Sequence, residues 1–104
     1  MEPKRTYYKN GQIETEEWRN EAGKRHRLDG PAWQAWCTNG QLGVECWYVD
    51  GRRHRLDGPA HRKWGKNGRV FIKQWYINDV QYKTEAEFQI AVDLYKANEI
   101  ADLF

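Results

Sequence analysis

Two histidines stand in identical surroundings. Arg25-His26-Arg27-Leu28-Asp29-Gly30-Pro31-Ala32 recurs 28 positions later as Arg53-His54-Arg55-Leu56-Asp57-Gly58-Pro59-Ala60. Each copy gathers an imidazole, a guanidinium and a carboxylate. Such a set can ligate a metal or exchange protons if His26 and His54 meet across stacked units. The same residues also make a connector. Asp29 and Asp57 can accept from nearby backbone amides, Gly30 and Gly58 permit a positive φ, and Pro31 and Pro59 fix φ where the next strand begins. Arg27 and Arg55 can pair with those carboxylates or with ones in a neighbouring unit. A set that recurs in every unit builds the repeat, whereas a catalytic site normally occurs once, so a structural motif is expected. The remaining reactive groups add no site. Cys37 and Cys46 are too few for a disulfide framework or a four-cysteine zinc site and read as small core residues. His61 reads as an ordinary strand residue. Glu14, Glu16 and Glu17 read as solvated strand positions. No glycine-rich phosphate loop, nucleophile elbow or His-Glu-x-x-His occurs. The expectation is a protein without enzymatic activity, metal or cofactor.

The elements that position these residues follow from the wider repeat. Asn10-Gly11-Gln12, Asn39-Gly40-Gln41 and Asn67-Gly68-Arg69 are spaced by 29 and then 28 residues, as are Trp18, Trp47 and Trp75. The extra residue of the first unit falls between Trp18 and Gly23. Asn-Gly flanked by alternating residues predicts a two-residue type I′ hairpin, with both φ angles positive. That register pairs Thr38 with Gln41, Cys37 with Leu42, Ala35 with Val44 and Trp33 with Cys46. It sets the two thiols ~13 Å apart along the ladder, too far for a disulfide. One face then carries Trp33, Ala35, Cys37, Leu42, Val44, Cys46 and Tyr48, and the other carries Trp36, Glu45, Trp47 and Val49. The third unit adds Val70, Ile72 and Tyr76 to the first face and Trp64, Phe71, Trp75 and Ile77 to the second. A sheet apolar on both sides needs two covers. Thr84-Glu85-Ala86-Glu87 is a capping-box pattern, and Phe88, Ala91, Val92 and Tyr95 follow at helical spacing, so a helix provides one cover. The other is strand curvature or a second copy of the chain. The expected fold is mainly β (α+β): a meandering antiparallel sheet of about six strands from three hairpin repeats over 7–82, closed by a helix over 84–103, in one domain spanning 1–104.

Composition narrows the class. A chain of 104 residues suits one domain. Its mean hydropathy of −1.04 leaves no stretch near the ~18–20 apolar residues of a membrane span. Aromatics at 14% argue against disorder. No apolar leader follows Met1-Glu2-Pro3-Lys4, so a cytoplasmic protein is expected. The net charge of +2 is unevenly spread: residues 1–51 carry −1, residues 52–83 carry +7 and residues 84–104 carry −4. A basic middle can attract anions, or it can be offset by the acidic tail docking beside it.

The units resemble MORN-type repeats, and more closely the antitoxin-like variant with a Trp-Tyr-x-Asn-Gly-x-x-His-Arg-x-Asp-Gly-Pro-Ala unit found in small bacteriophage and giant-virus proteins. Trp47 through Ala60 carry the likeness best, Trp18 through Ala32 form a degenerate copy, and Trp75-Tyr76-Ile77-Asn78 a truncated one. The resemblance implies a twisted antiparallel sheet serving as a scaffold, with no fixed activity. The function expected is therefore that of a protein-binding module, a phage-encoded accessory protein or inhibitor that engages a host defence protein in the host cytoplasm. Trp and Arg, which are abundant here, are enriched at interface hot spots. The candidate surface is the tryptophan face and its basic rim: Trp36, Trp47, Trp64, Trp75, Arg62 and Lys73. That face can instead be a second core layer or a homodimer interface. The alternative function is nucleic-acid binding through 52–73, where cations interleave with Trp64 and Phe71.

Overall fold

A computed structural model describes residues 2–101. Seven strands form one antiparallel meander: Lys4–Tyr7 (β1), Ile13–Glu17 (β2), Trp33–Trp36 (β3), Leu42–Cys46 (β4), His61–Trp64 (β7), Val70–Ile77 (β8) and Val80–Tyr82 (β9). Tyr48–Val49 (β5) and Arg52–Arg53 (β6) make a separate ribbon between β4 and β7. Helix α1 spans Glu85–Ala101. The mainly-β architecture and the closing helix match expectation, with more strands than the six anticipated. Thr84 is the N-cap, its Oγ1 accepting from the Glu87 amide at 3.1 Å. Residues 102 and 103 of the expected helix lie outside the described residues.

The Asn-Gly reversals correct the expected turn. In each, only glycine takes a positive φ, at 87° for Gly11, 86° for Gly40 and 77° for Gly68. The asparagine does not, because its Oδ1 accepts from the amide two residues on, at 3.0 Å from Gln12, Gln41 and Arg69. The Gly40 amide donates to Cys37 O and the Cys37 amide to Gln41 O, which closes a three-residue loop, a type I turn followed by a glycine bulge. Thr38 is therefore a loop residue, and Cys37 lies opposite Gln41. A second slip places Trp36 opposite Leu42 and Ala35 opposite Val44, leaving Gly43 as the extra residue. The two one-residue slips cancel, so Ala35–Val44 and Trp33–Cys46 pair as expected. Both thiols are free, and Cys37 is exposed, not a core residue.

True two-residue turns occur elsewhere. Asp50 and Gly51 (φ 51° and 78°) link β5 to β6, and Asn78 and Asp79 (φ 46° and 69°) link β8 to β9. In the first unit the equivalent reversal is a three-residue loop closed by Gly23, which absorbs the extra residue. These second hairpins join the units through matching main-chain bonds. The Arg27 and Arg55 amides donate to Tyr48 O and Tyr76 O, and the Gly51 and Asp79 amides donate to Arg25 O and Arg53 O.

The result is thin, with principal extents of 54 × 34 × 16 Å. Its radius of gyration of 15.5 Å exceeds the ~13 Å of a compact chain this long. Its surface of 7197 Å² exceeds the ~6,100 Å² expected for its mass. The core is correspondingly small: Ile77, Phe88 and Val92, flanked by Leu56, Trp75, Tyr82, Ala91 and Tyr95. The face opposite α1 is less apolar than expected, since the ladder sets Thr15, Glu17, His61, Lys63 and Gln74 among Trp33, Ala35, Val44 and Cys46. Its aromatics are covered by guanidiniums: Arg25 lies 5.4 Å from the Trp33 ring and 5.5 Å from Tyr48, and Arg53 lies 5.2 Å from Tyr76.

Candidate functional site

On the helix-bearing face the repeated string forms the same bracket twice. In the second unit the Arg55 guanidinium stacks 3.9 Å from the Trp47 ring, donates to Asp57 Oδ1 at 2.8 Å and donates to Pro59 O at 3.1 Å. Glu45, buried beneath, accepts from Trp47 Nε1 at 3.0 Å, Arg62 Nη2 at 2.6 Å and Arg55 Nη1 at 3.5 Å. In the first unit Arg27 lies 4.6 Å from Trp18 and bonds Asp29 and Pro31 O, while Glu16 takes Trp18 Nε1 and Arg5. Gly30 and Gly58 do not adopt a positive φ, contrary to expectation. They leave room for the guanidinium instead: a Cβ at Gly30 would meet Arg27 Cζ at 2.8 Å, and one at Gly58 would meet Arg55 Cζ at 2.9 Å. Asp29 and Asp57 serve the arginines more than local amides.

The histidines hold successive units together. His26 Nδ1 accepts from the Asp50 amide at 3.0 Å and His54 Nδ1 from the Asn78 amide at 3.2 Å, steadying turns whose non-glycine residues have positive φ. Each imidazole is committed to its own turn, and among the described residues no group of three or more His, Cys, Asp or Glu is placed to hold a metal. Glu16 and Glu17 are not solvated as expected; Glu17 accepts from Arg19 at 2.6 Å and Arg25 at 2.7 Å. The ladder also sets Cys46 opposite His61, with Gln74 on the next strand, a juxtaposition the sequence reading missed. Burial raises the Cys46 thiol and lowers the His61 imidazole, so both favour their neutral forms, the reverse of a thiolate–imidazolium pair.

The four candidate tryptophans share the helix-bearing face but stand in two rows. Trp18, Trp47 and Trp75 form the inner row. Trp75 is covered by Phe88, with ring centroids 6.5 Å apart, where Trp18 and Trp47 are covered by arginine. The third unit lacks the bracket, since Lys73 stands where Glu45 would recur and Lys83 where Arg55 would. Tyr7, Trp36 and Trp64 form the outer row near the Asn-Gly turns, with Arg62 5.1 Å from the Trp64 ring and Phe71 64% exposed on β8. Lys73 is exposed beside Arg62, its ladder partner. The basic stretch is divided: Arg53 and Lys63 serve the opposite face, and Arg55 and Arg62 are bound to Glu45.

The inner row also holds a residue that sequence reasoning passed over. Leu56 packs against the core under α1, whereas Leu28, its counterpart in the identical string, is 77% exposed. A groove of about 430 Å³ opens there, over Leu28, Trp47 and Val49. The signal was present: two identical strings and a single helix leave one leucine without a cover.

Acid should unfold the chain in two stages. Burial lowers the His54 imidazole below its ordinary value, with Glu99 opposing, and burial lowers His61 likewise. A depressed histidine contributes stability that is complete above about pH 6.5 and lost as pH falls through its folded value. The Arg55 hydrogen bond holds the Asp57 carboxyl low, and Arg19 followed by Arg25 does so for Glu17. For Glu16 burial acts upward, but bonds from Arg5 and Trp18 outweigh it. These carboxylates contribute above the ordinary range and lose it as pH falls below about 4. Thermal unfolding followed by circular dichroism should show a first decline below about pH 6.5, absent in His54→Gln/His61→Gln, and a second below about pH 4.

No family model, curated protein or solved structure matches this chain.

Proposed function

We propose that the chain is a non-enzymatic protein-binding module that presents the outer end of its tryptophan face to another protein. The observation that carries this reading is the row of Tyr7, Trp36 and Trp64 at repeat spacing on one face, bordered by exposed Phe71 and Lys73. Aromatic side chains of this kind anchor interfaces, because they bury much area at small entropic cost. The brackets and turns employ the repeated string's arginines, aspartates and histidines as structural contacts, which supports this reading. The likeness to repeats of small phage proteins makes a host protein, met as an accessory factor or inhibitor, the partner class we favour. The test is affinity capture from a host lysate with Trp64→Ala/Lys73→Glu against wild type, both checked for folding. Capture of the specific partner should fall about 10- to 100-fold. Equal capture by the folded variant would remove this surface from consideration.

A further inference from the structure

Helix α1 is apolar on two opposite sides. Phe88, Ala91, Val92 and Tyr95 meet the sheet. Half a turn away, Ala86, Ile90, Leu94 and Ala97 form a second stripe, with Ile90 63% and Leu94 62% exposed. At helical spacing Glu87 and Asp93 lie along its two borders. A helix with apolar stripes on both sides is suited to lie between two surfaces.

The sheet, for its part, has two repeat-related apolar seats on its helix-bearing face, of which the second keeps Arg55 over Trp47 where the first has Phe88 over Trp75. Leu56, Trp75 and Ile77 make the occupied one. Leu28, Trp47 and Val49, each 28 residues earlier, make the other, which is the open groove, with Tyr95 of α1 in its wall. Each chain thus has one helix face and one helix seat more than it can satisfy by itself.

We propose that two copies pair, each placing its Ile90–Leu94 stripe in the partner copy's Leu28–Trp47–Val49 seat. The contact is made twice about a two-fold axis and closes on itself, with both helices held between the two sheets. The stripe has acidic borders on a segment of net −4. At the groove Asp29 and Asp57 are paired with Arg27 and Arg55, and the hairpin carrying Val49 sets exposed Arg52 and Lys24 against one exposed carboxylate, Asp50, a balance opposite in sign to the stripe's borders.

Sedimentation equilibrium on the full chain tests this. Wild type should have twice the 12.4 kDa chain mass. Leu28→Glu and Leu94→Glu alter exposed side chains and should each run at the single-chain mass with unchanged circular dichroism. An equimolar mixture should recover a dimer, because the first variant still offers a stripe and the second a seat. A wild type that stays monomeric at roughly 1 mM, where even contacts of about −4 kcal/mol register, would overturn the proposal. So would a dimer that survives Leu28→Glu, or variants that form no dimer when mixed.

Discussion

Arg55→Ala is expected to destabilise the chain by about 2–3 kcal/mol, read as a lower urea midpoint by tryptophan fluorescence. The guanidinium covers Trp47 at 3.9 Å, satisfies Pro59 O and helps to neutralise Glu45, which is 6% exposed. Truncation strips all three at once. Breaking a buried ion pair costs about 3–5 kcal/mol when the remaining charge is left alone, and Arg62 still bonds Glu45 here, hence the smaller figure. The bond to Asp57, whose side chain is 80% exposed, adds little. The loss is large against the ~5–15 kcal/mol that stabilises a typical domain. Arg27→Ala should cost about 1 kcal/mol: its nearest Glu16 contact is 3.8 Å, its stacking distance is 4.6 Å, and Glu16 retains Arg5. Arg55→Lys should recover only part of the loss, since an ammonium cannot stack flat on the indole while bonding two acceptors.

Phe88→Ala should cost about 3–4 kcal/mol, and its effect should be local. Phe88 is 3% exposed and meets both Trp75 and Tyr82. With Val92 and Ile77 it makes up the buried centre of the core, so no other packing compensates. The helix should melt before the sheet: ellipticity at 222 nm should fall at a lower temperature than the fluorescence of Trp33, which lies on the far face. Coincident transitions at the wild-type temperature would show that α1 is held by other contacts.

The period and the antiparallel meander were legible because an eight-residue identity and three Asn-Gly pairs recur at almost constant spacing. The ladder far from the turns was legible too. Ala35–Val44 and Trp33–Cys46 follow from side-chain alternation, and the two slips between them and the turn cancel. The slips themselves were not legible. A type I′ turn and a three-residue turn share the Asn-Gly signature, and the choice rests on whether the asparagine carboxamide accepts a local amide. The second hairpins were missed for two reasons: Asn78-Asp79 contains no glycine and is held at positive φ by the preceding unit, whereas Asp50-Gly51 does carry a hairpin signature but was read only as part of the repeated string. The candidate tryptophans were correctly placed on one face, but Trp75 is committed to the helix. That one of the two leucines lacks a cover was legible, but that it is Leu28 depends on where a distant helix docks, which spacing within the string does not encode.

The joints between units have a consequence for chain length. Each joint uses the same amides, the same imidazole and the same backbone carbonyls, so nothing in the sheet itself dictates a third unit as the last. Termination is written in Lys73 and Lys83, which abolish the bracket, and in Phe88, which occupies its place. The fold is an array of like units closed by a helix, and its stability is expected to be approximately a sum of unit and nearest-neighbour increments.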